Sequence, residues 1–323
     1  MIKYFSTHRI STVLFLFLFV SGLSSCTNSS RLKWVHLVQE PNFNVSMSIF
    51  PTDGSLWTAN LYSSYAEEIA PVESGGFVIK YDSPGNETIF TLCASDRIWM
   101  VMSNANVVSF DPTTQATSVY NQLASLQPGH GWPSCLAVND KLIIWQDNRI
   151  ATYNQSSWEI ETLPEANSQI MKIAEDARGD EWLLLADGTI YQKITNNWQV
   201  VKKTGIQIKT FSQFAITDDD VAWIGADNKM YCWQLDSPDN PTLILKLPDE
   251  NNDRFVHIQS SSDSRLWIVA NIGIWVYQES ALHMLETPQL LENGDKIVKA
   301  VIDPLKKRLY VATLDDIFYT DIK

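Results

Sequence analysis

Short apolar runs recur along the whole chain, separated by polar turns, and most carry one large aromatic near their start. Residues 265–270 read RLWIVA and residues 274–278 read IWVYQ, with Asn271 and Gly273 between them. This pattern predicts two strands joined by a hairpin turn, made from residues that tolerate positive φ. Equivalent runs place Trp57, Trp99, Trp182, Trp223, Trp267 and Tyr310 at the same point, and a seventh run, DKLIIW, places Ile143 there. Neighbouring anchors lie 39 to 44 residues apart. Four short strands per period of about 40–45 residues is the signature of a propeller blade.

Each copy repeats one grammar. An apolar strand comes first, as in residues 169–176 and 255–261, and a turn follows that holds Asp53, Asp96, Asp140, Asp176, Asp219, Asp263 or Asp303. The anchor strand is next, then a third strand ending in Tyr81, Phe110, Tyr153, Tyr191, Tyr231, Tyr277 or Phe318, then an outer strand such as SSWEIETLP. Runs like LWIV are apolar without alternation. That suits strands buried on both faces between stacked blades and assigns the aromatics to core packing. Residues 31–41 look like an outer strand with no blade before it, while the last copy ends after its third strand. The expected fold is therefore all-β, a seven-bladed antiparallel propeller over residues 31–323. The N-terminal outer strand completes the last blade, so no inter-blade face stays open.

Composition adds limits on partners. The chain has 323 residues and a formal charge of −13, and its lysines and arginines form no run along any strand. Nucleic-acid binding through a basic surface is not expected, and the acidity reads as solubility of an exposed protein.

The first residues change the picture of location. Lys3 and Arg9 precede an apolar core at residues 10–20, too short for a membrane span. Leu23, Ser24, Ser25 and Cys26 follow. This run resembles the lipobox of bacterial lipoproteins, which implies a signal peptide at residues 1–25, lipidation of Cys26, and a polar tether at 26–30. The expected location is the bacterial cell envelope, with the protein held to a membrane by its lipid and facing away from the cytoplasm. Disulfides are permitted there. Cys93 and Cys135 fall on first strands of adjacent blades, so a bridge is possible if their Cα separation allows it. Cys232 reads as a buried free thiol.

Catalytic chemistry leaves little trace. There is no phosphate-binding glycine loop, zinc-protease helix, nucleophile elbow or paired-cysteine motif. No catalytic set, metal site or cofactor is indicated. His36, His257 and His283 stand in apolar strands and read as outward-facing or packing residues, and Asp218, Asp219 and Asp220 read as a turn, not a calcium site. Two irregular stretches remain: residues 60–76, read as a long first-blade loop with Tyr62, Tyr65, Glu67, Glu68 and Glu73, and residues 127–133 with His130 and Trp132. Both fall on the face where the blade-to-blade connections emerge. Aromatics outside the core grammar are the usual anchors of interfaces, so Tyr62, Tyr65, Glu67, Glu68, His130 and Trp132 are the candidate binding residues, for a protein, peptide or glycan.

The segments Asp53-Gly54-Ser55-Leu56-Trp57, Asp263-Ser264-Arg265-Leu266-Trp267 with Gly273, and Ala186-Asp187-Gly188-Thr189-Ile190-Tyr191 resemble the propeller repeat of two-component regulators. The glycine before the tryptophan is often missing here. The resemblance implies an extracytoplasmic sensor propeller, a binding or scaffold module. Similar repeats occur in streptogramin-lyase-like propellers, which implies the alternative of a metal-dependent enzyme with a histidine base, for which His130 is the loop histidine at hand.

Overall fold

A computed structural model describes residues 33–39, 45–60, 63–69, 77–84, 87–121, 133–138, 141–163, 168–209, 212–248, 252–261, 265–285, 291 and 294–322. Among them are seven four-stranded antiparallel sheets, each a blade. Blade one comprises β2 (Val45–Phe50), β3 (Ser55–Asn60), β4 (Tyr65–Ile69) and β5 (Phe77–Asp82). Blade two runs from β6 (Ile89–Ala94) through β7 (Ile98–Met102) and β8 (Val107–Phe110) to β9 (Thr117–Tyr120). Blade three holds β10 (Ser134–Val138), β11 (Lys141–Gln146), β12 (Arg149–Asn154) and β13 (Trp158–Thr162). Blade four holds β14 (Ile170–Glu175), β15 (Glu181–Leu185), β16 (Thr189–Ile194) and β17 (Asn197–Lys203). In blade five are β18 (Ser212–Ile216), β19 (Val221–Ala226), β20 (Lys229–Gln234) and β21 (Thr242–Lys246). In blade six are β22 (Phe255–Ser260), β23 (Leu266–Ala270), β24 (Gly273–Gln278) and β25 (Ala281–Leu285). Blade seven has β26 (Lys299–Asp303), β27 (Arg308–Ala312) and β28 (Asp316–Asp321), and its outer strand is β1 (Val35–Gln39).

Pairing of β1 with β28 sets Val35 opposite Tyr319 and Gln39 opposite Asp316. The first and last segments of the propeller thus share one sheet, as the orphan strand at one end and the missing one at the other require. His36 on β1 reaches Asp316 at 2.7 Å and stacks on Phe318. On the opposite rim Lys306 donates to the carbonyl of Gly54 at 2.7 Å, tying blade seven to blade one. Gly54 has φ +68, and a Cβ there would meet Asp303 and Lys306 below 3 Å, so only glycine fits.

Burial peaks at the second strand of each blade and is lowest at the outer strand. Every residue of β7, β15 and β23 is buried, whereas β9, β13, β17, β21 and β25 are mostly exposed. The anchors Trp57, Trp99, Ile143, Trp182, Trp223, Trp267 and Tyr310 are all buried, as core packing demands. Seven apolar clusters among the described residues each join two neighbouring blades. Trp57 packs with Phe110 between blades one and two, and Met47 and Leu56 pack with Tyr310 and Ile317 between blades one and seven. A face-to-face core at every interface, closed round on itself, leaves no blade face to water.

Two local expectations change. Residues 60–76 are not one loop: β4 crosses them as the third strand of blade one, and Tyr81 lies on the fourth strand, β5. Blade one needs a third strand to cover β3, and Ala66 and Ile69 are the apolar positions buried by it. The 271–273 turn also differs, because neither Asn271 nor Gly273 has positive φ. Asn271 instead bonds the strand entering blade six, accepting from the amide of Arg254 at 3.1 Å. Gly273 is required by packing, since a Cβ would stand 2.9 Å from the Trp275 ring. Among the described residues no helix is long and apolar enough to cross a membrane.

Candidate functional site in the central channel

The innermost strands β2, β6, β10, β14, β18, β22 and β26 form the wall of the channel. Cross-strand pairing with the anchor strands places them in one register. Ser48, Cys93, Leu136, Ala174, Ala215, Gln259 and Val301 stand opposite the seven anchors. One rung further along, Met47, Leu92, Ile173, Phe214, Ile258 and Ala300 are buried, and Cys135 is half-buried. The next rung returns to the channel side. It holds Ser46, Thr91, Ser134, Lys172, Gln213, His257 and Lys299, one per blade, every one polar and half-buried. In β6, β14 and β22 a bulge at Phe90, Met171 and Val256 adds a residue just before this rung. Such bulges re-aim the side chain that follows.

This polar ring lies near the starts of the inner strands, on the face where blade-to-blade connections and second-to-third-strand turns emerge. Blades one to three supply small hydroxyls, two of them with local partners. The Ser46 hydroxyl accepts from the amide of Leu92 at 2.9 Å and donates to its carbonyl at 3.2 Å. Thr91 lies 3.8 Å from Cys135 Sγ. A disulfide joins Cys93 to Cys135, with Cα atoms 6.2 Å apart.

Blades four to seven supply Lys172, Gln213, His257 and Lys299. His257 Nε2 lies 2.9 Å from Gln259 Oε1, an N–H donating to the amide oxygen. Neither lysine has a hydrogen bond or ion pair with another described residue. Burial, and after it the charge of Lys299, push Lys172 down to about 8. Lys299 is lowered by burial. His257 is pushed down to about 4 by burial and by both lysine charges, against the opposing bond to Gln259. Blades four, six and seven therefore bring three nitrogen groups within electrostatic reach of one another, and among the described residues no carboxylate offsets them. At neutral pH the imidazole is uncharged while Lys172 is largely charged.

The residues singled out in the sequence fall elsewhere or outside the described set. Tyr62, His130, Trp132 and Cys26 lie outside it. Tyr65 begins β4 and is half-buried. Glu67 is 7% exposed on that strand, and Glu68 is half-buried beside it, so neither occupies a loop rim. His283 is exposed on the outer strand β25. His257, expected to face outward or pack, lines the channel instead. Asp176 accepts from the amides of Arg178 and Asp180 and from the Trp182 indole, and Asp303 accepts from the amides of Leu305 and Lys306. Asp219 accepts from the Thr217 hydroxyl at 2.5 Å and Asp220 from Arg178 at 2.6 Å, so the acidic turn is engaged with its neighbours. Among the described residues no three His, Cys, Asp or Glu side chains stand where they could share a metal ion. Cys232 is free and half-buried.

The lysines of the ring escaped sequence reading because each stands alone on its own strand. The inner-to-anchor turns differ in length and three strands are bulged, so the ring residues sit 8 to 11 positions before their anchors. A fixed-period alignment does not line them up. The available signal was a single lysine inside an apolar first strand, in QIMKIAED and again in IVKAVID.

No protein-family model matches the chain, and no curated protein matches it in sequence. Solved structures match in fold. A catalytically inactive virginiamycin B lyase from Staphylococcus aureus, solved with quinupristin, superposes with a TM-score of 0.67 at 14% identity, over 91% of this chain and 100% of the other. The extracellular domain of a protein described as a one-component system from B. thetaiotaomicron gives 0.63 at 12% identity, over 89% of this chain and 40% of the other. YCF48 bound to a D1 peptide gives 0.65 at 12%, over 92% and 98%. At such identities the likeness is one of fold.

Proposed function

We propose that this chain is an extracytoplasmic, lipid-anchored binding propeller of the sensor or scaffold kind, which takes a protein, peptide or glycan ligand at the channel mouth beneath the connecting loops. The observation that carries this reading is the ring. Seven blades place seven polar side chains on one rung, and two of them are lysines without a partner among the described residues, at a cost in desolvation. A propeller held together only by its blade interfaces has no need of them. The similar folds support the reading, since one carries quinupristin, one a D1 peptide, and one is the extracellular part of a membrane sensor. Tyr62, Tyr65, His130 and Trp132 remain further candidate contacts.

The anchor follows from the lipobox-like run at Cys26. Cys26→Ala should move the protein out of the detergent phase, and identical partitioning of variant and wild type would defeat the anchor. Native mass spectrometry of the full chain, released from envelopes in mild detergent, tests the binding site. The wild type should carry a bound species that Gln213→Trp, which plugs the ring, has lost. The same species on both proteins would place binding elsewhere.

A further inference from the structure

Resting on the reading of the channel mouth as a binding site, we propose that the ring captures a compact oxyanion with two negative charges, held by Lys172 and Lys299 and hydrogen-bonded by the Gln213 amide. The first support is placement. Lys172 comes from blade four and Lys299 from blade seven, so they belong to blades separated by two others, stand on one rung of the channel wall and feel each other's charge. Gln213 and His257 occupy the same rung on the two blades between them.

The second support is the missing counter-charge. Elsewhere, four half-buried lysines have partners. Lys193 reaches Glu161 at 2.8 Å, Lys296 reaches Asp253 at 2.9 Å, Lys141 pairs with Glu181, and Lys202 donates to the carbonyl of Ser237. Lys172 and Lys299 have none among the described residues, in a chain with 37 acidic and 24 basic residues. A cationic pair that no described carboxylate compensates is suited to take its counter-ion from outside. Depressed lysine affinity for protons is the sign of that unmet demand, and a bound anion would relieve it.

The third support is stoichiometry. Two lysine charges match a dianion, and lysine serves as a mobile point charge toward phosphate-like groups. The Gln213 amide adds a donor that fixes orientation, and Ser46, Thr91 and Ser134 leave the other arc of the ring small and neutral. Inorganic phosphate, sulfate, or paired carboxylates on a small acid share this chemistry.

The full chain in detergent, titrated calorimetrically with inorganic phosphate, sulfate and succinate at constant ionic strength, tests the proposal, with chloride as the singly charged reference. At least one dianion should bind in a one-to-one ratio, tighter than chloride by about tenfold or more. Phosphate or sulfate in front identifies a tetrahedral oxyanion, and succinate in front identifies paired carboxylates. Lys172→Met and Lys299→Met should each weaken binding by about tenfold or more, while Lys246→Met, exposed on the outer strand β21, should leave it unchanged. A cooperative thermal transition in each variant separates lost binding from lost folding. Dianions binding no better than chloride, or lysine variants binding like wild type, would overturn the proposal. If Gln213→Trp still loses its co-purified species in that case, the channel remains the binding site and only the charge assignment fails.

Discussion

Two arcs of the same ring solve the same structural problem differently. Ser46, Thr91 and Ser134 stand on the rung that Lys172, Gln213, His257 and Lys299 occupy across the channel, in the same repeat and the same register. The first arc is closed by its own chemistry: Ser46 bridges to the backbone of Leu92, and a disulfide crosses from blade two to blade three. The second holds charge that nothing in the described residues answers. The repeat needs a side chain at this rung but does not specify which one. A short hydroxyl with a backbone partner costs little, whereas a desolvated lysine costs stability unless something binds it. The contrast separates positions that serve the scaffold from positions that serve a ligand.

The largest test breaks the closed arc. Replacing Cys93 and Cys135 by serine should lower unfolding stability by about 2–4 kcal/mol in urea denaturation, because the bridge constrains a long loop of the unfolded chain. Dianion binding should survive, since the lysines lie on other blades. Unchanged stability would show that the first arc does not depend on its bridge.

The open arc should respond with the opposite sign. Lys172→Met keeps the volume and removes a buried charge, so it should stabilise the ligand-free protein by about 1–3 kcal/mol. A loss of stability would mean that Lys172 holds the scaffold, and would erase the distinction between the arcs.

The pH dependence carries the same signature more weakly. Lys172 has a folded value of about 8 against an ordinary 10.5, so between these values the unfolded chain holds the proton more tightly. Its contribution therefore rises with pH across 8 to 10.5, and Lys299 acts in the same direction. His257, at about 4 against 6.5, destabilises the fold as pH drops from 6.5 towards 4, where only the unfolded chain gains the proton. Comparing wild type with Lys172→Met and His257→Gln isolates each window. A wild type and Lys172→Met with parallel curves above pH 8 would contradict the desolvated lysine. The smallest effect belongs to Ser46→Ala, which should cost about 1 kcal/mol through its backbone partners and leave dianion binding intact.

The blades were legible in the sequence because burial on both faces writes itself as apolar runs around Trp57, Trp99 or Trp267, and blade stacking repeats those runs at one period. Closure was legible from residues 31–41, whose outer-strand pattern lacked a blade. The ring was not, because it is a property of register: Lys172 and Lys299 lie 127 positions apart in a chain whose turns vary in length, and only the pairing of β14 and β26 with their anchor strands brings them to one rung. Glu67 shows the converse error. Two glutamates in a stretch without an anchor aromatic look like a loop, yet pairing with β3 and β5 makes that stretch a strand and buries Glu67.

Crystals of the full chain grown with selenate, a heavy dianion, give the most direct view of the open arc. Anomalous scattering should show a selenium peak in the channel between Lys172 Nζ and Lys299 Nζ, absent from Lys172→Met crystals grown alongside. A channel without selenium, while selenate decorates lysines on the outer strands, would contradict the account.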